Sequence, residues 1–248
     1  MKQSWRLAIS ATLLYTLAFN LTFFIQELFL VVPKALTPGL RPTLYHNNHL
    51  WLGENPLAHL LQGTGALAIF ISATVCMVLL ERGRIRSNTV RLLVVWMAFS
   101  GFFQALPQVI IGAFVDNNDV GMAMNYLRMT PTAKLIAAFA ALVAMVPAGY
   151  WLARQMLRFM PSSTFLTALL AIPLIVAFRV PRELLEVLIP PLLSTFLGLA
   201  AVYATAWRIK GVDVIRDPEP VSIAYPLAAV IALLLVFQLV LRPGIQFY

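Results

Sequence analysis

Apolar runs of bilayer length recur along this chain, and they limit what it can fold into more than any other feature. They are Leu7–Val32, Leu57–Leu80, Val90–Val115, Thr132–Ala153, Ser162–Phe178, Leu184–Trp207 and Ile223–Leu241. Crossing the hydrocarbon core takes about 20 mostly apolar residues in helical form. Outer-membrane strands are about 10 residues long and alternate in polarity, which these runs do not. The expected fold class is therefore all-α, a polytopic transmembrane helical bundle of about seven spanning helices. Six is the alternative, because the fifth run is short and the sixth contains Pro190-Pro191.

Composition agrees with the lengths. Only 11% of residues are charged, against roughly 25% in a soluble domain, and the mean hydropathy is +0.84. No polar stretch is long enough for a soluble domain, so residues 1–248 read as one integral membrane domain. The net charge of +8 lies in loops between apolar runs, where basic residues set orientation and meet lipid headgroups; nucleic acid is not an expected partner. Cys76 is the single cysteine and sits inside an apolar run, which leaves no intrachain disulfide framework. Lys2 and Arg6 followed by a long apolar run read as an uncleaved first span.

With the N-terminus inside, the inner side holds Lys2, Arg6, Arg82, Arg84, Arg86, Arg91, Arg154, Arg158, Arg208, Lys210 and Arg216. The outer side holds Lys34, Arg41, Arg128, Lys134, Arg179, Arg182 and Arg242. This eleven-to-seven bias follows the positive-inside rule and places the N-terminus in the cytoplasm, most simply of a bacterial inner membrane. Residues 208–220 are then a polar inner loop.

All three histidines fall on the outer side. His46 and His49 lie in the polar stretch Tyr45–Trp51, within an outer loop of residues 33–56 punctuated by Pro33, Pro38 and Pro42, and His59 follows. On one helical turn His46 and His49 would share a face, and with His59 they could hold Zn²⁺ or another divalent metal. Glu27 is a carboxylate inside an apolar run, a functional suspect on cost alone. Gln26, Gln62, Gln104 and Gln108 sit toward the outer ends of the first three spans, and Asp116 and Asp119 bracket an acidic turn. Together they describe a polar pocket opening outward between the first three helices, with the Tyr45–Trp51 stretch as its lid.

Three functions follow as expectations. The first is binding or movement of a small polar solute or ion through that pocket. The second is a membrane-embedded enzyme at the outer face, with His46, His49, His59 and Glu27 as acid/base groups or metal ligands. The third is a structural subunit beside other membrane subunits. Neither the H-E-x-x-H of intramembrane metalloproteases, of which Gln26–Leu30 offers only the glutamate, nor a Gly-x-Ser-Gly motif is present.

Overall fold

A computed structural model describes residues 2–83, 85–209 and 222–248. Arg84 and nearly all of the expected inner loop 208–220, with Lys210 and Arg216, lie outside the described residues. Seven helical segments are long and apolar enough to cross a membrane, and their outward surfaces carry apolar side chains. On the fourth span, Leu135, Ile136, Phe139, Leu142, Val143 and Val146 are all exposed. Lipid is the solvent that suits such a surface, and the chain is an all-α multi-pass bundle.

Helix α1 (Lys2–Ala35) is followed by strands β1 (Arg41–Leu44) and β2 (His49–Leu52). The second span is α2 (Leu57–Leu61) continued by α3 (Gly63–Glu81), and the third is α4 (Asn88–Phe114). Short α5 (Asp119–Tyr126) precedes α6 (Pro131–Phe159). The fifth span is broken into a 3-10 turn (Ser162–Leu166), α7 (Thr167–Leu170) and α8 (Ile172–Arg179), with Pro173 in the first turn of α8. Helix α9 (Leu184–Ala206) is the sixth, and α10 (Ala224–Leu235) with a π segment (Val236–Leu241) is the seventh.

The prolines of residues 33–56 act differently from one another. Helix α1 runs through Pro33, which lacks the N–H that would reach the Phe29 carbonyl. The Thr64 hydroxyl donates to that carbonyl at 2.6 Å instead, meeting the requirement that backbone groups at membrane depth find partners. Thr37-Pro38-Gly39-Leu40 forms a turn: the Leu40 N–H donates to the Thr37 carbonyl at 3.2 Å and Gly39 has φ 84°, the conformation glycine supplies after proline in a type II turn. Pro42 sits in β1.

The loop is therefore a hairpin. Strands β1 and β2 pair antiparallel, Leu44 opposite His49. A third strand, β3 (Ile245–Gln246), adds to the free edge of β1. The chain thus returns after its last span to the end of the bundle where α1 finishes, as an odd number of crossings requires.

Close helix approach follows from small residues, as the Gly63–Ala66 run predicts. A Cβ on Gly65 would stand 2.9 Å from the Gln26 side chain, and one on Gly101 2.7 Å from the Ile69 carbonyl oxygen. In mid-bundle Tyr15, Phe19, Trp96, Phe99 and Phe103 are at most 1% exposed. Their rings pack at tilted and edge-on angles with centroids 4.9 to 6.3 Å apart, the separations aromatic pairs favour.

With Cys76 replaced by serine, single cysteines at Glu54 and Tyr248 should react with a membrane-impermeant maleimide from one side of the membrane and a cysteine at Ser87 only from the other. Labelling of Glu54→Cys and Tyr248→Cys from opposite sides would refute the seven-span topology.

Candidate functional site

Glu27, Leu30 and Lys34 recur at the spacing that puts residues on one face of α1. That face meets β2. Alternation along the strand turns His49 and Trp51 inward and leaves Leu50 and Leu52 exposed at 54% and 65%. The polar ring, not the leucines, is the inward member, opposite to what hydrophobicity alone predicts.

The contacts explain the inversion. The Lys34 ammonium, wholly buried, donates to the Leu30 carbonyl at 2.9 Å and to Gln62 Oε1 at 2.9 Å. It lies 3.4 Å from His49 Nε2 and 4.8 Å from the centre of the Trp51 ring, a cation–π arrangement. His49 Nδ1 is 2.8 Å from Glu27 Oε2 and Nε2 is 2.9 Å from Gln62 Oε1. The His49 ring stacks on Trp51 with planes 16° apart. A buried charge is tolerated only when paired and hydrogen-bonded, and this cluster does both.

Beside the cluster is a pocket of about 410 Å³, within the size range of small-molecule sites. Its wall takes Phe23, Gln26 and Glu27 from α1, Asn47–His49 from the hairpin, Asp119 from the start of α5, Arg179 from the end of α8, and Arg182 with the first turns of α9. Arg179 is 3% exposed. Its guanidinium lies 4.4 Å from the centre of the Phe23 ring, yet Nε and Nη1 have no hydrogen-bond partner. The Asn47 amide donates to the Arg179 carbonyl, and Arg182 Nη1 donates to the Asn47 carbonyl at 3.0 Å, so the hairpin is fastened to this segment. Arg182 also pairs with Glu186 at 2.8 Å.

The pocket thus sits between α1, the hairpin and the 179–190 segment, rather than between the first three helices as expected. Of the sequence candidates, Gln26, Glu27, His49 and Asp119 line it. Gln62 stands behind His49. Gln108 Nε2 donates to Gln26 Oε1 at 2.9 Å and Gln104 Nε2 reaches the Phe19 carbonyl at 3.5 Å; both tie α4 to α1. Asp116 points away, exposed and paired with Lys134 at 2.8 Å, so Asp116 and Asp119 do not form one acidic patch. Asn118 caps α5, as its position before Asp119 predicts, accepting from Val120 N–H at 3.1 Å.

The expected trio of His46, His49 and His59 does not assemble. His49 is in a strand and both of its nitrogens are engaged. His46 is in the hairpin loop, buried, with neither nitrogen in a hydrogen bond of normal geometry; desolvation holds its pKa below the ordinary histidine range, against the opposing backbone of Val180. His59 is exposed on α2. Among the described residues no three His, Cys, Asp or Glu side chains gather as a metal shell.

Lys34, Trp51, Asn47, Arg179 and Arg182 were not among the sequence candidates. Lys34 had a signal: it follows Glu27 by seven residues on one helix face. Arg179 ends an apolar run and reads as an interfacial anchor until the fold buries it. The site defines the class: a multi-pass helical membrane protein with an ion-pair cluster and a charged pocket at its hairpin end. Comparison with protein-family models, curated proteins and solved structures finds no match for this chain.

Two outcomes follow. Glu27→Gln and Lys34→Met should each destabilise the protein by about 3–5 kcal/mol, the usual cost of stranding one member of a buried pair. The double variant should cost less than their sum by about 0.5–3 kcal/mol, in denaturant unfolding in detergent; strict additivity would show that the two ends do not communicate through His49. Asp119 is pushed up to about 6, by burial first and by Glu27 second, from about 3.9 in the unfolded chain. The folded state therefore binds the extra proton, and this contribution to stability is present below pH ~4 and lost as pH rises through ~6. Melting of Asp119→Asn should fall less than wild type across that window.

Proposed function

We propose that this protein binds a small polar solute in the pocket beside Glu27 and His49, holding an anionic group of that solute on Arg179. The charge bias of the loops supports an inner-membrane protein with a cytoplasmic N-terminus, so that the hairpin end and its pocket face outward. The observation that carries the reading is the Arg179 guanidinium: nearly fully buried, in a residue of the pocket wall, with Nε and Nη1 unpartnered. Leaving a charged donor buried and unsatisfied costs several kcal/mol, and an anionic ligand repays that cost with charge-assisted hydrogen bonds.

Binding is favoured over conduction by what lies beneath. The aromatic layer of Tyr15, Phe19, Trp96, Phe99 and Phe103 fills the bundle interior. A solute crossing the membrane would have to part those rings. The acidic groups Glu27 and Asp119 on the facing walls support a solute that carries positive charge or hydrogen-bond donors as well.

Thermal unfolding of the detergent-purified chain with glycerol 3-phosphate tests this. A ligand that binds only the folded state stabilises it by about 2.7 kcal/mol at a hundredfold excess over Kd, so the melting temperature should rise with concentration. Arg179→Gln should abolish the rise. An equal rise in the variant, or none in either protein, would sink the proposal.

A further inference from the structure

The two helices that frame the pocket do not run together along their length. Tyr15 Oη and Thr195 Oγ1 meet at 2.7 Å, joining α1 to α9 in mid-bundle. The pocket residues lie eight to twelve positions further along α1 and five to ten positions earlier in α9, which at the rise of an α-helix is about 12–18 Å and about 8–15 Å toward the hairpin end. Between those points the gap belongs to the pocket. On its α9 side the wall is made by Leu185 and Ile189, exposed at 67% and 53%, within a helix whose other outward residues face lipid. The pocket is therefore polar at its back and apolar at its lateral edge.

The charges at the back are of both signs and are held apart. Arg179 Nε and Nη1 have no hydrogen-bond partner. Asp119 takes part in no ion pair among the described residues, and Glu27 holds His49 through one oxygen, Oε2. A simple anion satisfies Arg179 and leaves the carboxylates facing it; a simple cation does the reverse.

We infer that the ligand is a zwitterionic phospholipid with a primary ammonium, its phosphate on Arg179, its ammonium beside Asp119 and Glu27, and an acyl chain leaving between α1 and α9 over Leu185 and Ile189. A primary ammonium donates hydrogen bonds to carboxylates, whereas a quaternary one cannot and a glycerol headgroup brings no charge. The lipid reaches the site sideways from its own leaflet, so the hairpin above need not open. This inference rests on the reading above that the pocket holds an anionic group on Arg179, and places that group on a lipid headgroup rather than on a free solute.

The test is saturable binding to the full chain in detergent, read by native mass spectrometry. The probes are phosphatidylethanolamine, phosphatidylcholine and phosphatidylglycerol of matched chains, with soluble O-phosphoethanolamine beside them. Phosphatidylethanolamine should bind at least tenfold tighter than either other lipid and than the soluble headgroup. Asp119→Asn should bring the preference over phosphatidylglycerol close to one, and Arg179→Gln should weaken phosphatidylethanolamine at least tenfold. Arg179→Lys, which keeps the charge, covers the case in which the glutamine variant fails to fold, and should retain part of the affinity. Equal affinity for all three lipids, or a soluble headgroup as tight as the lipid, would overturn the lipid inference while leaving the pocket a binding site. Failure of every probe to bind in an Arg179-dependent way would overturn the binding reading itself.

Discussion

A lysine ammonium with no exposed surface has to be answered on every side, and much of the hairpin end is arranged to answer Lys34. It donates to the Leu30 carbonyl and to Gln62 Oε1, lies 3.4 Å from His49 Nε2, and is covered by the Trp51 face. These partners come from three separate parts of the chain. Leu30 is on α1 itself, Gln62 joins α2 to α3, and His49 and Trp51 belong to β2. Satisfying one cation therefore sets the position of the strand against two spans. Breaking a buried pair costs several kcal/mol, so the hairpin cannot drift without exposing that cost.

The pocket depends on the same constraint at one remove. His49 and Glu27 are both cluster members and pocket wall. Asn47, two residues before His49, holds the Arg179 carbonyl and is held by Arg182. The strand that serves Lys34 thus also draws the 179–190 segment toward α1. Tyr15 and Thr195 limit the approach from below, and the space left between is the site. Charge satisfaction on one side of β2 creates unsatisfied charge on the other, at Arg179.

The helices were legible in the sequence because lipid exposure demands long apolar runs and little else imitates them. All seven expected spans correspond to helices, and the broken fifth follows from Pro173. The turn at Thr37–Leu40 and the cap at Asn118 were readable because a single backbone conformation selects those residues. The hairpin was not legible. Its strands are four residues each, and their alternation is inverted, with His49 turned in and Leu50 out, because a buried lysine on another element outweighs hydrophobicity. Glu27, Gln26, His49 and Asp119 were recognisable as polar groups out of place. Arg179 was not, because the end of an apolar run is where lipid-facing arginines also stand; only the long-range contact with Asn47 and Phe23 makes it different. The three histidines looked alike in sequence and separate in space because strand, loop and helix hold them.

Strand β3 gives this arrangement an order in time. Thr43 in β1 pairs with Gln246, so one edge of the hairpin is finished by residues that follow the seventh span. Chains are made at about 5–20 residues per second, which puts the arrival of β3 on the order of ten seconds or more after β1 has left the ribosome. Until then β1 presents an open edge, the kind of edge that recruits foreign strands. The hairpin closes its own edge only with residues that follow the seventh span, so its completed form marks a chain in which these seven spans have been inserted.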